Sequence, residues 1–301
     1  MRLADHEDFR ITLHQAGEEP SEKLIVTFGG QPSGIGDSGF GTSFCLANGW
    51  DTVHVAQRHG SQYQGLSITQ FYDAVTSVSD GRDVVCYGSS LGGYAALYFG
   101  GCINARIVAA APMLPAWRPL KNRAYADLPM HHMELIETPL SLKRPVLIYD
   151  PLLTRDQFVV DQMVLPAYPE ARLVEVPYGG HTVLVALSRA RLLKPIVSAL
   201  FERDEIIDFT RPAEGTAIWH LERGASLKQS DPDLAVTELE TSLAITPSTQ
   251  AFCLLINLLI RRGEIAVAQA KLDAAKASGE KRLKLVPSLI EAAKAAGLEF
   301  D

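Results

Sequence analysis

Along the first two-thirds of the chain, apolar residues gather in short runs: FRITLH, KLIVTFGG, DTVHVAQ, DVVCYG, ARIVAAAP, PVLIYD and RLVEVPYGG. Several of these runs are continuously apolar, without polar residues at alternate positions. A strand of that kind is buried on both faces, as in a parallel sheet with helices on either side. Longer stretches with helical periodicity separate the runs, at 69–79, 91–101, 156–167 and 182–203. The alternation predicts a three-layer, doubly wound, mostly parallel α/β sheet. In such sheets ligands bind at the carboxyl ends of the strands, so informative residues should stand just after each run.

Near residue 205 the pattern changes. From Gly215 onward strand signals cease, and the residues are Ala-, Leu- and Glu-rich in helical spacing. We expect one domain over 1–205 and a small all-helical domain over 206–301. Two segments in the latter look alike, DLAVTELETSLAITP from Asp233 and EIAVAQAKLDAAKAS from Glu264, 31 residues apart. The spacing, the upstream Trp219 and the closing Pro247 resemble tetratricopeptide helix pairs, whose period is about 34 residues. Two such units are fewer than the three or so that stand alone. That implies docking onto the α/β domain, a protein partner, or self-association.

Composition narrows the partners more than the fold. The 301 residues are 47% hydrophobic and 21% charged, enough for a sizeable core, and the net charge of −7 argues against nucleic acid. No apolar run reaches the ~20 residues that span a bilayer, and MRLADHEDFRITLHQ has no signal-peptide core. Cys45, Cys86, Cys102 and Cys253 form no metal-binding pair and read as reduced thiols, so we expect a cytoplasmic protein. His131 and His132 are adjacent, their side chains diverge, and we expect no metal there.

The chemistry begins at CYGSSLGGYAALYFG, Cys86 to Gly100. Gly88-x-Ser90-x-Gly92 stands where a strand becomes a helix, as in a nucleophile elbow. So sharp a turn strains the serine backbone, and residues two before and two after it must be nearly free of side chain. Gly88 and Gly92 meet that demand, and Gly93, Ala95 and Ala96 let the helix lie close to the sheet. A serine there sits at a helix N-terminus, whose free N–H groups favour developing negative charge.

A serine nucleophile needs a base. His181, in VPYGGHTVL, follows the last β-run directly after Gly179 and Gly180. His54 lies within a strand, His6 and His14 near the N-terminus, and His220 in the helical tail. The base needs an orienting carboxylate, in the chain order Ser, acid, His. RPVLIYDPLLTRDQF offers Asp150 at the strand end and Asp156 a few residues on. A position past the strand favours Asp156; whichever is not used would cap the helix or bond the loop backbone. For the oxyanion, one donor is the N–H of Leu91, and the second is Gly30 or Gln31, in the loop after KLIVTF. The glycines of that loop match neither of the phosphate-binding spacings.

With GSSLG, FGG, YDPLLTRD and GGH together, residues 8–203 resemble the α/β-hydrolase superfamily. The resemblance implies Ser90 as nucleophile, His181 as general acid–base, Asp156 or Asp150 as orienter, and no metal or organic cofactor. Two departures stand out. The sheet looks short of the usual eight strands, and the insertion at 113–143 is small. That insertion would form a modest lid, with Trp117, Tyr125, Met130 and Met133 lining a pocket or covering the core. QRHGSQYQG, 57–65, follows a strand and should reach the rim with Arg58, His59, Tyr63 and Gln64. We therefore place Gly29, Arg58, Tyr63 and Trp117 in the substrate pocket. The expected activity is hydrolysis of an ester, thioester or amide in a small, polar acylated substrate. The alternatives are an acyltransferase with the same residues, or an interaction scaffold with a reduced hydrolase domain.

Overall fold

The computed structural model describes residues 1–299. One eight-stranded sheet organises the first part of the chain. Its strands are β1 (Arg2–Asp5), β2 (Phe9–His14), β3 (Lys23–Phe28), β4 (Asp51–Gln57), β5 (Asp83–Ser89), β6 (Arg106–Ala110), β7 (Val146–Tyr149) and β8 (Arg172–Glu175). Their order across the sheet is β1-β2-β4-β3-β5-β6-β7-β8. The first two are antiparallel to their neighbours and β3 to β8 are parallel. This is the α/β-hydrolase fold. The expectation of a sheet with fewer than eight strands is corrected by β1. That edge strand is short and half exposed, and two of its four residues are charged. It therefore carries no apolar run to announce it.

The helices are α1 (Thr42–Ala47), α2 (Ile68–Ser79), α3 (Leu91–Gly100), α4 (Thr154–Val159), α5 (Leu165–Ala167), α6 (Val183–Arg189), α7 (Leu193–Arg203), α8 (Ala217–Leu227), α9 (Pro232–Ile245), α10 (Thr249–Arg261), α11 (Ile265–Ser278) and α12 (Pro287–Ala295). Those in the same unit as the sheet, α1 to α3 and α7 among them, cover both of its faces. A wide π-turn, Val160–Val164, joins α4 to α5. All ten residues of α3 are buried, as expected of a helix that is apolar all round. On one face Phe28, Phe71 and Phe99 pack ring to ring at 5.1–6.0 Å. On the other, Phe201 of α7 meets Trp50 and Tyr87 at 5.6 and 5.1 Å. The single helix expected over 182–203 is two. Pro195 has no N–H to offer the carbonyl four residues back, and Arg191 turns the chain at φ 61°.

The chain divides into two compact units. One holds 1–176, 181–184 and 194–208; the other holds 177–180, 185–193 and 209–301. The second unit takes in two short segments from before residue 205. Its core is built by Leu221, Leu239, Phe252, Leu255, Ile256 and Leu259 from α8, α9 and α10. The two look-alike segments form α9 and α11. Glu238, buried on α9, accepts from His220 at 2.6 Å and pairs with Arg223, tying α9 to α8.

Candidate active site

Ser90 occupies the turn between β5 and α3 with φ 55° and ψ −121°. A non-glycine residue in that region is strained, and here the neighbours hold it. Its N–H donates to the Ala110 carbonyl at 2.8 Å, and its own carbonyl accepts from the Met113 N–H at 3.0 Å. The glycines on either side are sterically required. A Cβ on Gly88 would lie 2.0 Å from the Gly92 carbonyl oxygen, and one on Gly92 would lie 2.2 Å from that of Phe28. The helix thus approaches β3 and β5 closely enough to lift Ser90 above the strand ends.

Three side chains form a hydrogen-bonded line over the sheet. His181 Nε2 is 2.8 Å from Ser90 Oγ. His181 Nδ1 is 2.9 and 3.0 Å from the two carboxylate oxygens of Asp156. Because an ionised carboxylate only accepts, Nδ1 carries the proton and Nε2 is left to accept from the serine hydroxyl. Asp156 is 2% exposed, whereas the imidazole keeps 35% of its surface. A buried acid thus faces a histidine that solvent can reach. Of the two carboxylates the sequence left open, Asp156 meets the imidazole. Asp150 is also buried, and its Oδ1 accepts from the Leu152 N–H at 2.9 Å.

Leu91 is the first residue of α3, so its N–H has no partner within the helix. The loop after β3 passes close by, since a Cβ on Gly30 would stand 3.1 Å from the Ser89 carbonyl oxygen. Gln31 lines the hollow at Ser90, and Tyr125 Oη donates to Gln31 Oε1 at 3.2 Å. The hollow measures about 440 Å³. Besides Ser90, His181, Asp156 and Gln31 it is lined by Met113, Pro115, Asn122, Tyr125, Leu153 and Arg155.

Of the pocket residues expected from sequence, Gly29, Arg58 and Tyr63 do not line this hollow, and Trp117 lines only a smaller one that shares Asn122 and Tyr125 with it. Arg58 is exposed and pairs with Asp8 at 2.6 Å. Tyr63 is 1% exposed, and its hydroxyl meets the Gly29 and Val55 carbonyls at 2.9 and 3.2 Å. Burial pushes that phenol's pKa well up, so it stays a neutral donor. Trp117 covers the core at 6% exposure, its Nε1 donating to Glu134 at 3.3 Å.

The segment expected at the rim turns inward instead. Gln62 Oε1 accepts from the Ala116 N–H, and Gln64 Oε1 accepts from those of His131 and His132. These bonds fasten the 113–143 insertion to the 57–65 segment. His132 stacks on Tyr98 at 4.0 Å and bonds Tyr94 Oη at 2.9 Å, and burial lowers its pKa to about 4. No cluster of potential metal ligands occurs among the described residues. The residues that sequence reading passed over, Met113, Pro115, Asn122, Leu153 and Arg155, follow β6 and β7. The rule that ligands meet the carboxyl ends of strands was the available signal.

No family's sequence profile matches the chain, and no curated protein matches it. Among solved structures it is similar to the acylaminoacyl peptidase of Pyrococcus horikoshii, at 11% identity and a TM-score of 0.45. That alignment covers 66% of this chain and 41% of the peptidase. It is similar to acetyl xylan esterase 1 of Thermoanaerobacterium sp. JW/SL YS485, at 15% identity and 0.37, over 56% of this chain and 70% of the esterase. It is similar also to Est1E of Butyrivibrio proteoclasticus, at 11% identity and 0.37, over 66% of this chain and 98% of Est1E.

Proposed function

We propose that the protein is a serine hydrolase that cleaves an ester, thioester or amide through an acyl-enzyme on Ser90. The line Ser90–His181–Asp156, mounted on a strained elbow, carries this reading. In the first step Ser90 Oγ attacks the carbonyl carbon while His181 Nε2 takes its proton. Asp156 keeps Nδ1 protonated and stabilises the imidazolium. Negative charge gathers on the carbonyl oxygen, facing the Leu91 N–H and a second N–H from Gly30 or Gln31. Such a donor is worth about 3–4 kcal/mol elsewhere. The imidazolium then gives its proton to the leaving group. Water, deprotonated by the same nitrogen, releases the acid. The 35% exposure of the imidazole favours water as acceptor over an acyltransferase that must exclude it.

The substrate is read as polar. Arg58 and Tyr63 no longer support this; Gln31, Asn122, Tyr125 and Arg155 around the hollow do. Rapid-mixing hydrolysis of p-nitrophenyl acetate tests the mechanism. The expected result is a burst of nitrophenolate equal to the enzyme concentration, absent in Ser90→Ala. Hydrolysis undiminished in Ser90→Ala would refute it.

A further inference from the structure

The chain carries a net charge of −7, yet the surroundings of Ser90 are basic. Arg155 lines the hollow that holds Ser90 and His181. A second hollow of about 190 Å³ adjoins it through Asn122 and Tyr125, and Arg118, Lys121 and Arg123 line that one. Together the two are edged by four cations and one carboxylate. The carboxylate is Asp156, buried and bonded to His181. Among the described residues Arg155, Lys121 and Arg123 have no ion-pair partner, whereas Arg118 is steadied by a 2.8 Å bond to the Ala126 carbonyl. Arg155 also stands in the first turn of α4. A cation there opposes the helix dipole.

The geometry points to a substrate that carries an anionic group, carboxylate or phosphate, held by Arg155 and the Lys121–Arg123 edge of the lid while its acyl carbon lies on Ser90. This deepens the acyl-transfer reading and rests on it for the chemistry. The anion site itself stands on the charges alone. A guanidinium with no internal partner can give both of its N–H forks to a carboxylate or phosphate. The lysine and arginines beyond it raise the local concentration of anions against a repelling whole.

Matched esters test it. Mono-p-nitrophenyl glutarate against p-nitrophenyl valerate puts the charge on the acyl side. 3-Acetoxy-4-nitrobenzoate against o-nitrophenyl acetate puts it on the leaving group. In one pair the anionic ester should have a kcat/KM about tenfold higher, through KM. Arg155→Gln should erase that preference, Arg155→Lys should keep part of it, and Arg144→Gln, an exposed cation paired with Glu170, should leave it intact. Which pair responds locates the anion. Equal kcat/KM within both pairs, or a preference unchanged in Arg155→Gln, would overturn the inference. If no ester is turned over, inorganic pyrophosphate is titrated calorimetrically into the Ser90→Ala protein. Binding that weakens about tenfold in Ser90→Ala/Arg155→Gln supports the anion site and counts against acyl transfer. Absence of binding overturns both.

Discussion

Two aspartates six residues apart, both buried, have different tasks because of where their oxygens point. Asp156 presents both to the His181 ring, while Asp150 uses one to close its own loop. Asp156→Asn is therefore expected to lower kcat by about 10³–10⁴-fold, because the amide no longer selects the tautomer with Nδ1 protonated. Asp150→Asn should act mainly on stability. Esterase kinetics beside urea unfolding of both variants would separate the roles; equal losses of kcat would contradict the assignment. The sequence narrowed the acid to these two residues and only leaned to Asp156, for its place past the strand. The choice depends on the side chain's direction at the entry to α4, and residue order does not encode that.

At the scale of elements, the β5–Ser90–α3 unit was readable because sterics leave little freedom. A strand that passes into a helix within one residue needs glycine two places either side, and the chain has it. Gly88→Ala is expected to destabilise the protein by more than ~4 kcal/mol or to prevent folding, since the added Cβ would overlap the Gly92 carbonyl. Soluble protein with a normal unfolding midpoint would contradict this. The 57–65 segment was misread for a complementary reason. Its inward path depends on left-handed backbone at Gln62 and Tyr63, φ 51° and 61°, which neither a glycine nor an asparagine announces. A tyrosine after a strand suits a rim or a core equally well, and only the backbone sends Tyr63 to the Gly29 carbonyl. β1 and the interruption before α7 escaped notice likewise, the one for want of an apolar run, the other hidden in a periodic stretch.

For the whole molecule, buried neutral imidazoles set an acid limit. Burial lowers the pKa of both His54 and His132 to about 4. His54 faces Thr27 at 3.1 Å with His14 as a neighbour, and His132 lies among Tyr94, Tyr98 and His131. The unfolded chain binds protons at these positions from about pH 6.5 downward and the folded chain does not. Their contribution is thus complete above pH 6.5 and is lost as the pH falls toward 4, by at most about 3 kcal/mol each. Urea midpoints should drop between pH 7 and 4.5, and less steeply in His132→Gln. A midpoint independent of pH over that window would contradict this.

The most direct measurement is reaction of the folded protein with a fluorophosphonate, followed by mass-spectrometric mapping of the adduct. One phosphonyl group is expected, on Ser90, absent from Ser90→Ala and strongly slowed in His181→Ala. A folded protein that takes up no label, or takes it at another residue, would contradict the claim that Ser90 is an activated nucleophile.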